Sequence, residues 1–393
     1  MTQHTRARRA VVIGAGIGGL AAAVALRRVG VEAVVYERAR ELRPAGFGIS
    51  VMANAVAALR ALDIDLGLEK RGGTVERSDL LDSGGRLLRS LPFKEAGDRI
   101  GAPSIAMYRG DLQSALLDAL GDCPIELGAT ATEYEVTGDG VRVRFEDGRE
   151  ATGDILIGAD GINSAVRRQR TGAGAPTDGG FICWLAVTPF EHPKFTPGLN
   201  AHYWGLGRRF GLHDVGHGRV YWWGTANMSA ESARSWGGDK AQIARTYAGW
   251  ADEVQAAIRD TPAEDIVAVP AQDRPFLEHW GEGPVTLLGD AAHPMLPSLG
   301  QGGSSAIEDA VVLAQCLGAL SDPVAALRAY EDLRRERTRE MVEVSRRFGA
   351  LEQLDKPVLR TLRDAYLRFA PESVLMAPFE RALTPKLFTI GDQ

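Results

Sequence analysis

Short apolar runs that end at glycine or acidic residues recur along the chain and predict buried strands. They cover residues 10–13, 33–36, 155–157 and 285–288. Between the first two runs, residues 20–28 follow an Ala/Leu-rich helical pattern, and Gly30 ends that helix. The start of the chain therefore predicts a strand–helix–strand unit.

Periodicity also predicts the elements between these runs. Helices are expected over residues 54–62, 241–260 and 304–320, after Ser164, and after Asp111 as an N-cap. Residues 323–369 should be helical with a break at Pro357, followed by an irregular tail. Alternating segments predict strands over residues 72–89, 133–150 and the aromatic-rich stretch 181–228.

The order of these elements predicts an α/β fold with a discontinuous Rossmann-like nucleotide-binding domain, a β-sheet substrate domain and C-terminal helices. Strands of the nucleotide-binding type lie at the start, middle and end of the chain, with β-rich segments inserted between them. The expected boundaries are residues 1–75, 98–175 and 275–345 for the first domain, 76–97 and 176–274 for the second, and 346–393 for the helical segment.

Composition narrows the class of protein. The chain has 393 residues, 45% hydrophobic and 24% charged, with a net charge of −6, which argues against nucleic-acid binding. Cys123, Cys183 and Cys316 have neither CxxC nor metal-ligand spacing, so we expect no metal site and a reducing, cytoplasmic location. Residues 10–26 are uncharged and imitate a signal peptide or membrane span, but their glycines fall at motif positions, so no membrane span is expected.

The glycines after the first strand form GxGxxG, with Gly14, Gly16 and Gly19 in the spacing of that pattern. Gly14 permits the tight turn, Gly16 lets the backbone approach a pyrophosphate, and Gly19 lets helix and strand pack closely. Glu37 ends the second strand, where an acidic side chain accepts from ribose hydroxyls. The alternative is a strand–helix–strand unit with no ligand.

Two later segments carry polar residues just after a predicted strand. Asp160-Gly161 suits a hydrogen-bonded ligand, but taken alone the segment favours an ordinary strand-to-helix turn capped by Asp160. Asp290 precedes a loop stiffened by Pro294 and Pro297, and glycines then leave bare N–H groups at the start of a helix. Such a helix end stabilises negative charge on a bound ring, whereas the alternative is a flexible glycine-rich lid.

With these three motifs in order, residues 8–345 resemble the class A flavoprotein monooxygenases, the para-hydroxybenzoate hydroxylase-like family. The resemblance implies FAD as cofactor and NADH or NADPH as a transient reductant, with no second Rossmann domain for it. The residues it assigns to FAD binding are Gly14, Gly16, Ile17, Gly18, Gly19, Glu37, Arg38, Arg43, Arg109, Asp160, Asp290, Pro297, Gly300, Gln301, Gly302 and Gly303.

The resemblance further implies a reaction. NAD(P)H reduces FAD, O2 adds to it, and a flavin C4a-hydroperoxide hydroxylates an aromatic or heteroaromatic small molecule. Epoxidation of an alkene or polyketide stays open, because the late motif is also similar to that of epoxidases and urate hydroxylases. A non-catalytic flavin-binding accessory protein stays open too, whereas the WxWxI motif of flavin halogenases is absent. A monomer or homodimer is expected.

Substrate-pocket residues are sought in the aromatic stretch, which is expected to exclude water from the flavin. The candidates are Tyr203, Arg209, His213 and Trp222. His213 could help to deprotonate a phenol, since imidazoles titrate near neutral pH. Most aromatic residues of this stretch are expected to form the core of the sheet.

Overall fold

A computed structural model describes residues 8–42 and 46–388. The helices, numbered in chain order, are α1 Ile17–Arg28, α2 Ala53–Arg60, α3 Leu68–Arg71, α4 Phe93–Ile100, α5 Arg109–Leu120, α6 Ala165–Thr171, α7 Ala230–Arg234, α8 Lys240–Thr246, α9 Asp252–Asp260, α10 Gly302–Ala319, α11 Pro323–Glu352, α12 Pro357–Phe369 and α13 Glu372–Leu383. Short 3₁₀ turns lie at Ala263–Asp265, Gly289–Ala291 and Pro297–Leu299.

The strands, numbered in the same way, are β1 Arg9–Ile13, β2 Glu32–Glu37, β3 Gly48–Val51, β4 Gly73–Thr74, β5 Arg77–Asp82, β6 Leu87–Leu91, β7 Ile105–Tyr108, β8 Ile125–Leu127, β9 Ala131–Thr137, β10 Gly140–Phe145, β11 Glu150–Gly153, β12 Ile155–Gly158, β13 Thr177–Pro189, β14 Leu199–Trp204, β15 Arg208–Asp214, β16 Arg219–Asn227, β17 Val267–Asp273 and β18 Val285–Leu287.

A five-stranded parallel sheet with the order β18-β12-β1-β2-β8 forms the nucleotide-binding part of the fold. Val12 on β1 lies in register with Ile157 on β12 and Val35 on β2. These side chains are fully buried, as expected for a parallel sheet that is covered on both faces. The parallel sheet confirms the predicted α/β class, and its strands come from three distant parts of the chain.

A seven-stranded sheet with the order β17-β13-β16-β15-β14-β5-β6 forms the second layer. All neighbouring strands are antiparallel except β14 and β5. Its side chains alternate between two faces. One face packs into a core that includes Trp184, Phe210 and Trp222, and residues of the other face line a cavity.

Two sequence expectations about helix bounds were wrong. Asp111 is not the N-cap of α5, because the helix begins at Arg109 after Tyr108, and the Asp111 carboxylate instead accepts from Arg219 at 2.8 Å. The predicted helix over residues 241–260 is two helices, α8 and α9, separated at Gly249, whose φ is +76°.

The tail after Phe369 is not irregular, because it contains helix α13. Pro378 inside this helix weakens its local helical signal. Packing compensates, since the Phe379 ring lies 5.4 Å from that of Phe93 and 5.3 Å from that of Phe348. Within the described ranges, no helix combines the length and the apolarity that crossing a bilayer requires.

Candidate functional site

The glycine loop between β1 and α1 is closely packed at two glycines and open at the third. A Cβ atom on Gly14, whose φ is +105°, would lie 2.5 Å from the Ala159 carbonyl oxygen. A Cβ atom on Gly19 would lie 1.9 Å from the Gly14 oxygen. A Cβ atom on Gly16 would meet nothing within 4 Å. The loop therefore offers exposed backbone at Gly16 and is held in place at Gly14 and Gly19.

Glu37 fixes this loop from the end of β2. Its Oε2 atom accepts from the Ala15 N–H at 2.7 Å, and its Oε1 atom accepts from the Ala39 N–H at 2.9 Å. No side chain caps the first turn of α1 at Gly16. The free N–H groups of this turn face the groove and favour a negatively charged group such as a phosphate.

A groove of about 570 Å³ runs along the carboxyl ends of β1, β2, β12 and β18. The residues assigned from the sequence that line it are Gly14, Gly16, Ile17, Gly18, Glu37, Arg38, Arg109, Asp160, Asp290, Gly302 and Gly303. Arg43 lies outside the described residues. The carboxyl edge of a parallel sheet is where nucleotides bind in folds of this kind.

Asp160 presents a hydrogen-bond acceptor to this groove. Its Oδ2 atom accepts from the Ala165 N–H at 2.6 Å, whereas its Oδ1 atom is buried without a partner. Burial raises the pKa of this carboxyl group, and hydrogen bonds from Ser164 and Ala165 oppose that shift. A buried acceptor without a partner is costly, so Asp160 is suited to a donor from a ligand, such as a hydroxyl group.

Asp290 is accessible within the groove and surrounded by protein. Desolvation raises the pKa of its carboxyl group, and the charges of His293 and Arg109 partly offset this. Burial lowers the pKa of Arg109, while Asp290 opposes that shift. The two residues thus place opposite charges in one groove, each only partly compensated by the other.

A buried charge network holds the turn that carries Asp290. Asp309 accepts from the Gly289 N–H at 3.1 Å, from His293 Nε2 at 2.6 Å and from Arg334 Nε at 2.6 Å. Arg334 also pairs with Glu308, and the side chains of His293, Glu308, Asp309 and Arg334 are all buried. The network joins α10 and α11 to the Asp290 turn and fixes the position of that carboxylate.

The N-terminus of α10 also faces the groove, through Gly302 and Gly303. Gln301 precedes it, and no side chain caps this first turn. The Gln301 side chain is buried and bonds to Asn54 and to the Ala382 carbonyl, so it links α10 to α2 and α13 instead of lining the groove. Free N–H groups remain to interact with a bound ring.

A second cavity, of about 450 Å³, adjoins the groove. The two share Ile49, Asp290, Gly302 and Gly303. Pro297 and Gly300 line the second cavity only. A planar group bound at these shared residues would therefore be accessible both from the groove and from the second cavity.

Two of the four predicted pocket residues line this cavity. Arg209 and His213 on β15 project into it. Tyr203 and Trp222 lie on the opposite face of the sheet, where Tyr203 donates to Glu253 at 2.9 Å and Trp222 donates to Thr261 at 2.7 Å. They therefore belong to the core of the second layer.

The polar groups around Arg209 are buried and incompletely satisfied. Arg209 pairs with Glu352, and its guanidinium lies 4.5 Å from the centre of the Trp223 ring. Hydrogen-bond partners are lacking at Arg209 Nε, His213 Nδ1 and Asn200 Oδ1, and all three residues line the cavity. A polar substrate group placed there would gain directed hydrogen bonds.

His213 is not suited to be a base at neutral pH. Burial, reinforced by the charge of Arg209, lowers the pKa of its imidazole to about 3. The ring is therefore neutral, and because Nε2 faces the Trp223 indole N–H at 3.4 Å, its proton is expected on Nδ1. His213 then acts as a hydrogen-bond donor to the cavity rather than as the proton acceptor expected from the sequence.

Asn200, Tyr221, Trp223 and Glu352 line the cavity and were missed from the sequence. Three of them share a signal that could have found them. Side chains alternate between the two faces along a strand. Residues directly opposite Arg209 or His213 on a neighbouring strand, or an even number of positions from such a residue, therefore face the same cavity. No sequence pattern predicts Glu352 as a lining residue, because it lies on α11, in a distant part of the chain.

The fold and the groove are those of a dinucleotide-binding protein with a second cavity beside the groove, and comparisons with known proteins narrow this class. The FAD binding domain family matches residues 8–345. The chain is 37% identical to the aurachin C monooxygenase/isomerase of Stigmatella aurantiaca over 91% of this chain and 93% of that protein. It is 35% identical to the FAD-dependent urate hydroxylase of Klebsiella pneumoniae over 86% and 89% of the two chains.

Among solved structures, Klebsiella pneumoniae HpxO complexed with FAD and uric acid superposes with a TM-score of 0.89. The two are 31% identical, and the match covers 96% of this chain and 97% of that one. The chain therefore belongs to the class A FAD-dependent monooxygenases, the aromatic hydroxylase-like family, and it is an FAD-dependent enzyme.

The residues present fit this cofactor. The open backbone at Gly16 has room for a pyrophosphate, and the orphaned Oδ1 atom of Asp160 can accept from a hydroxyl group. The uncapped first turns of α1 and α10 supply N–H groups at two places along the groove.

Proposed function

We propose that this chain hydroxylates an aromatic or heteroaromatic small molecule in the second cavity, with FAD in the groove, NAD(P)H as reductant and O2 as oxidant. One oxygen atom enters the substrate and the other leaves as water. The observation that carries the proposal is the junction of the two cavities at Ile49, Asp290, Gly302 and Gly303. A redox-active ring at this junction would face the substrate from the groove side.

FAD, once reduced, supplies the activation of O2 and the transfer of one oxygen atom. The chain's residues hold it in our proposal. Gly16 and the first turn of α1 bind the pyrophosphate of FAD. Glu37 binds its ribose, and Asp290 binds its sugar-alcohol chain. Gly302 and Gly303, at the positive end of α10, stabilise negative charge on the pyrimidine side of the ring.

Arg209 is the residue that we propose to activate the substrate. Its guanidinium is buried, and its Nε–H lacks a partner. Glu352 offsets the charge of the guanidinium, so the proposed effect comes from the free Nε–H. A hydrogen bond from this N–H to a phenolic or enolic oxygen favours the anion of that oxygen, which makes the attached ring electron-rich and easier to hydroxylate. The neutral His213 ring donates a second hydrogen bond, and the Trp223 and Tyr221 rings exclude water.

Three finer points are part of the proposal. We propose that the groove belongs to the first predicted domain and the seven-stranded sheet to the second, with the boundaries given above. We propose that the enzyme works in the cytoplasm as a monomer or homodimer. Its reactants are a small-molecule substrate, O2 and NAD(P)H, and nucleic acid is not a partner.

The test is NAD(P)H oxidation by the FAD-loaded protein with a panel of phenols, purines and N-heteroaromatic compounds. We expect oxidation to be coupled to a product that carries one atom from heavy-isotope O2. The similarity to the aurachin C monooxygenase/isomerase makes epoxide-derived products a second outcome, which mass and NMR analysis separate from a hydroxylated arene. Oxidation that yields only hydrogen peroxide with every compound would overturn the proposal.

Arg209→Met tests the role of the guanidinium. We expect kcat/KM to fall about tenfold or more, as for loss of a charged hydrogen bond, with FAD affinity retained. Arg208→Met is the matched control, because Arg208 lies next to it on β15 and is not among the residues that line either cavity. Equal kcat/KM in the two variants would contradict the assignment.

A further inference from the structure

The substrate cavity is larger than the polar cluster around Arg209 requires, because it continues beneath the C-terminal helices. Its walls there are apolar, with Phe93 on α4, Leu91 on β6, Phe348 on α11, Leu367 on α12 and Leu375 on α13. The cavity therefore has a polar region on the sheet and an apolar region beneath the helices.

The residues exposed to solvent show that the cavity has two openings. Most lining residues are buried or half-buried, and the exposed ones fall into two groups. Asp290, Pro297 and Gly300 belong to the side shared with or next to the nucleotide groove. Tyr366 and Val374, exposed by 48% and 49%, mark a second opening between α12 and α13.

The surface around this second opening is apolar as well. Six of the ten large hydrophobic side chains that are exposed among the described residues lie between residues 358 and 374. On α12, Val358, Leu362 and Phe369 point outward, while Arg363 and Leu367 are buried on the opposite side. An apolar group that leaves the cavity between α12 and α13 therefore meets apolar protein surface.

We propose that the substrate is amphiphilic, with a polar aromatic head beside Arg209 and a long apolar hydrocarbon chain that runs beneath α12 and α13 to the opening at Tyr366 and Val374. The proposal rests on the proposed function for the position of the head. The apolar walls stabilise the chain by removing it from water, and the opening removes the limit on its length.

The test is a series of para-hydroxybenzoate alkyl esters, from methyl to dodecyl, titrated against the FAD-loaded enzyme. Binding is measured by quenching of tryptophan fluorescence, because Trp204 and Trp223 line the cavity. We expect affinity to rise by about fourfold for each buried methylene, over several methylenes, before it levels off. This readout requires no turnover, so it can succeed or fail independently of the oxygenation assay.

Two variants test where the alkyl chain of the bound ester lies. Val374→Asp places a carboxylate at the opening, and we expect it to weaken binding of the dodecyl ester at least tenfold while leaving the methyl ester unchanged. Leu362→Asp is the matched control, because Leu362 is also exposed on this surface but does not line the cavity. It should bind both esters like the unmodified enzyme.

Dissociation constants that do not fall with chain length would overturn the proposal, as would failure of every ester to bind. Equal losses of affinity for the dodecyl ester in the two variants would also overturn the proposal, because the alkyl chain would then lie on the outer surface of α12 and not in the cavity.

Discussion

Gly14 and Gly16 are two residues apart, yet a side chain added at Gly14 should destabilise the fold, whereas one added at Gly16 should mainly weaken FAD binding. At Gly14, a Cβ atom collides with the Ala159 backbone and the φ of +105° is strained for any other residue. At Gly16, a Cβ atom meets only the open groove. We expect Gly14→Val to destabilise the fold by about 2 kcal/mol or more.

Gly16→Val should instead leave the free energy of unfolding within about 0.5 kcal/mol of the unmodified apoprotein and weaken FAD binding at least tenfold. Urea unfolding of the apoproteins measures the first quantity, and FAD titration followed by flavin fluorescence measures the second. A Gly16→Val variant that binds FAD normally would show that the pyrophosphate lies elsewhere.

His202 and His213 predict a loss of stability in mild acid. Burial lowers the pKa of both imidazoles, with additional repulsion from Arg209, and His213 reaches about 3. Below the unfolded pKa of about 6.5, the unfolded chain binds protons that the folded protein excludes. The free energy of unfolding therefore falls as the pH drops below about 6.5, by up to about 1.4 kcal/mol per pH unit for each histidine.

Urea unfolding between about pH 7 and pH 5 measures this slope. The double variant His202→Gln/His213→Gln should show a shallower dependence, since neither side chain then titrates. His279→Gln, at an exposed position, is the control and should keep the original slope. Equal slopes in all three proteins would mean that other groups cause the acid sensitivity.

At the scale of elements, Arg334 connects α11 to two carboxylates on α10. Glu308 and Asp309 are both fully buried, so removal of the guanidinium takes away the cation that both carboxylates pair with. Arg334→Met should destabilise the protein by about 3–5 kcal/mol. It should also weaken FAD binding, because Asp309 holds the turn that carries Asp290.

Arg335→Met is the matched control, one residue further along the same helix. Its partner Asp332 is mostly exposed, so we expect a change of less than about 1 kcal/mol. Thermal and urea unfolding of both variants give the comparison. If Arg334→Met is as stable as the control, the network contributes little to the fold.

The elements also show which parts of the structure could be predicted. The β1–α1–β2 unit was predictable because its strands, glycines and acid lie within one local segment. In the seven-stranded sheet, the alternation that puts the neighbours Trp222 and Trp223 on opposite sides was predictable, but the side that lines the cavity was not. Sequence alone does not state which face lines the cavity, so Trp222 is predicted as a pocket residue although it lies in the core of the second layer.

Helix α13 was missed for a related reason. Pro378 weakens the local signal, and the helix is stabilised by contacts with Phe93 and Phe348, which are far away in sequence. The buried network around Asp309 was equally invisible, since its members lie on α10, on α11 and in the loop before α10, and no local pattern connects these segments. What depends on long-range packing could not be derived from local patterns.

At the scale of the whole molecule, the groove is assembled from distant segments, so FAD should stabilise the complete fold. Free FAD at one hundred times its dissociation constant raises the free energy of unfolding by about 2.7 kcal/mol if the unfolded chain does not bind it. Thermal unfolding of the apoprotein with increasing FAD measures this gain. A midpoint independent of FAD concentration, at concentrations that saturate the protein, would contradict it.

The parallel sheet places β18 beside β12, which in turn pairs with β1. On the ribosome, the first strand therefore emerges long before the neighbours that complete the groove, and Gly302 and Gly303 emerge later still. We therefore expect the nascent chain to bind FAD only after these later segments have been synthesised. FAD binding then follows synthesis of at least the first three hundred or so residues. Until FAD binds, the N–H groups of the glycine loop that face the phosphate site are hydrogen-bonded to water.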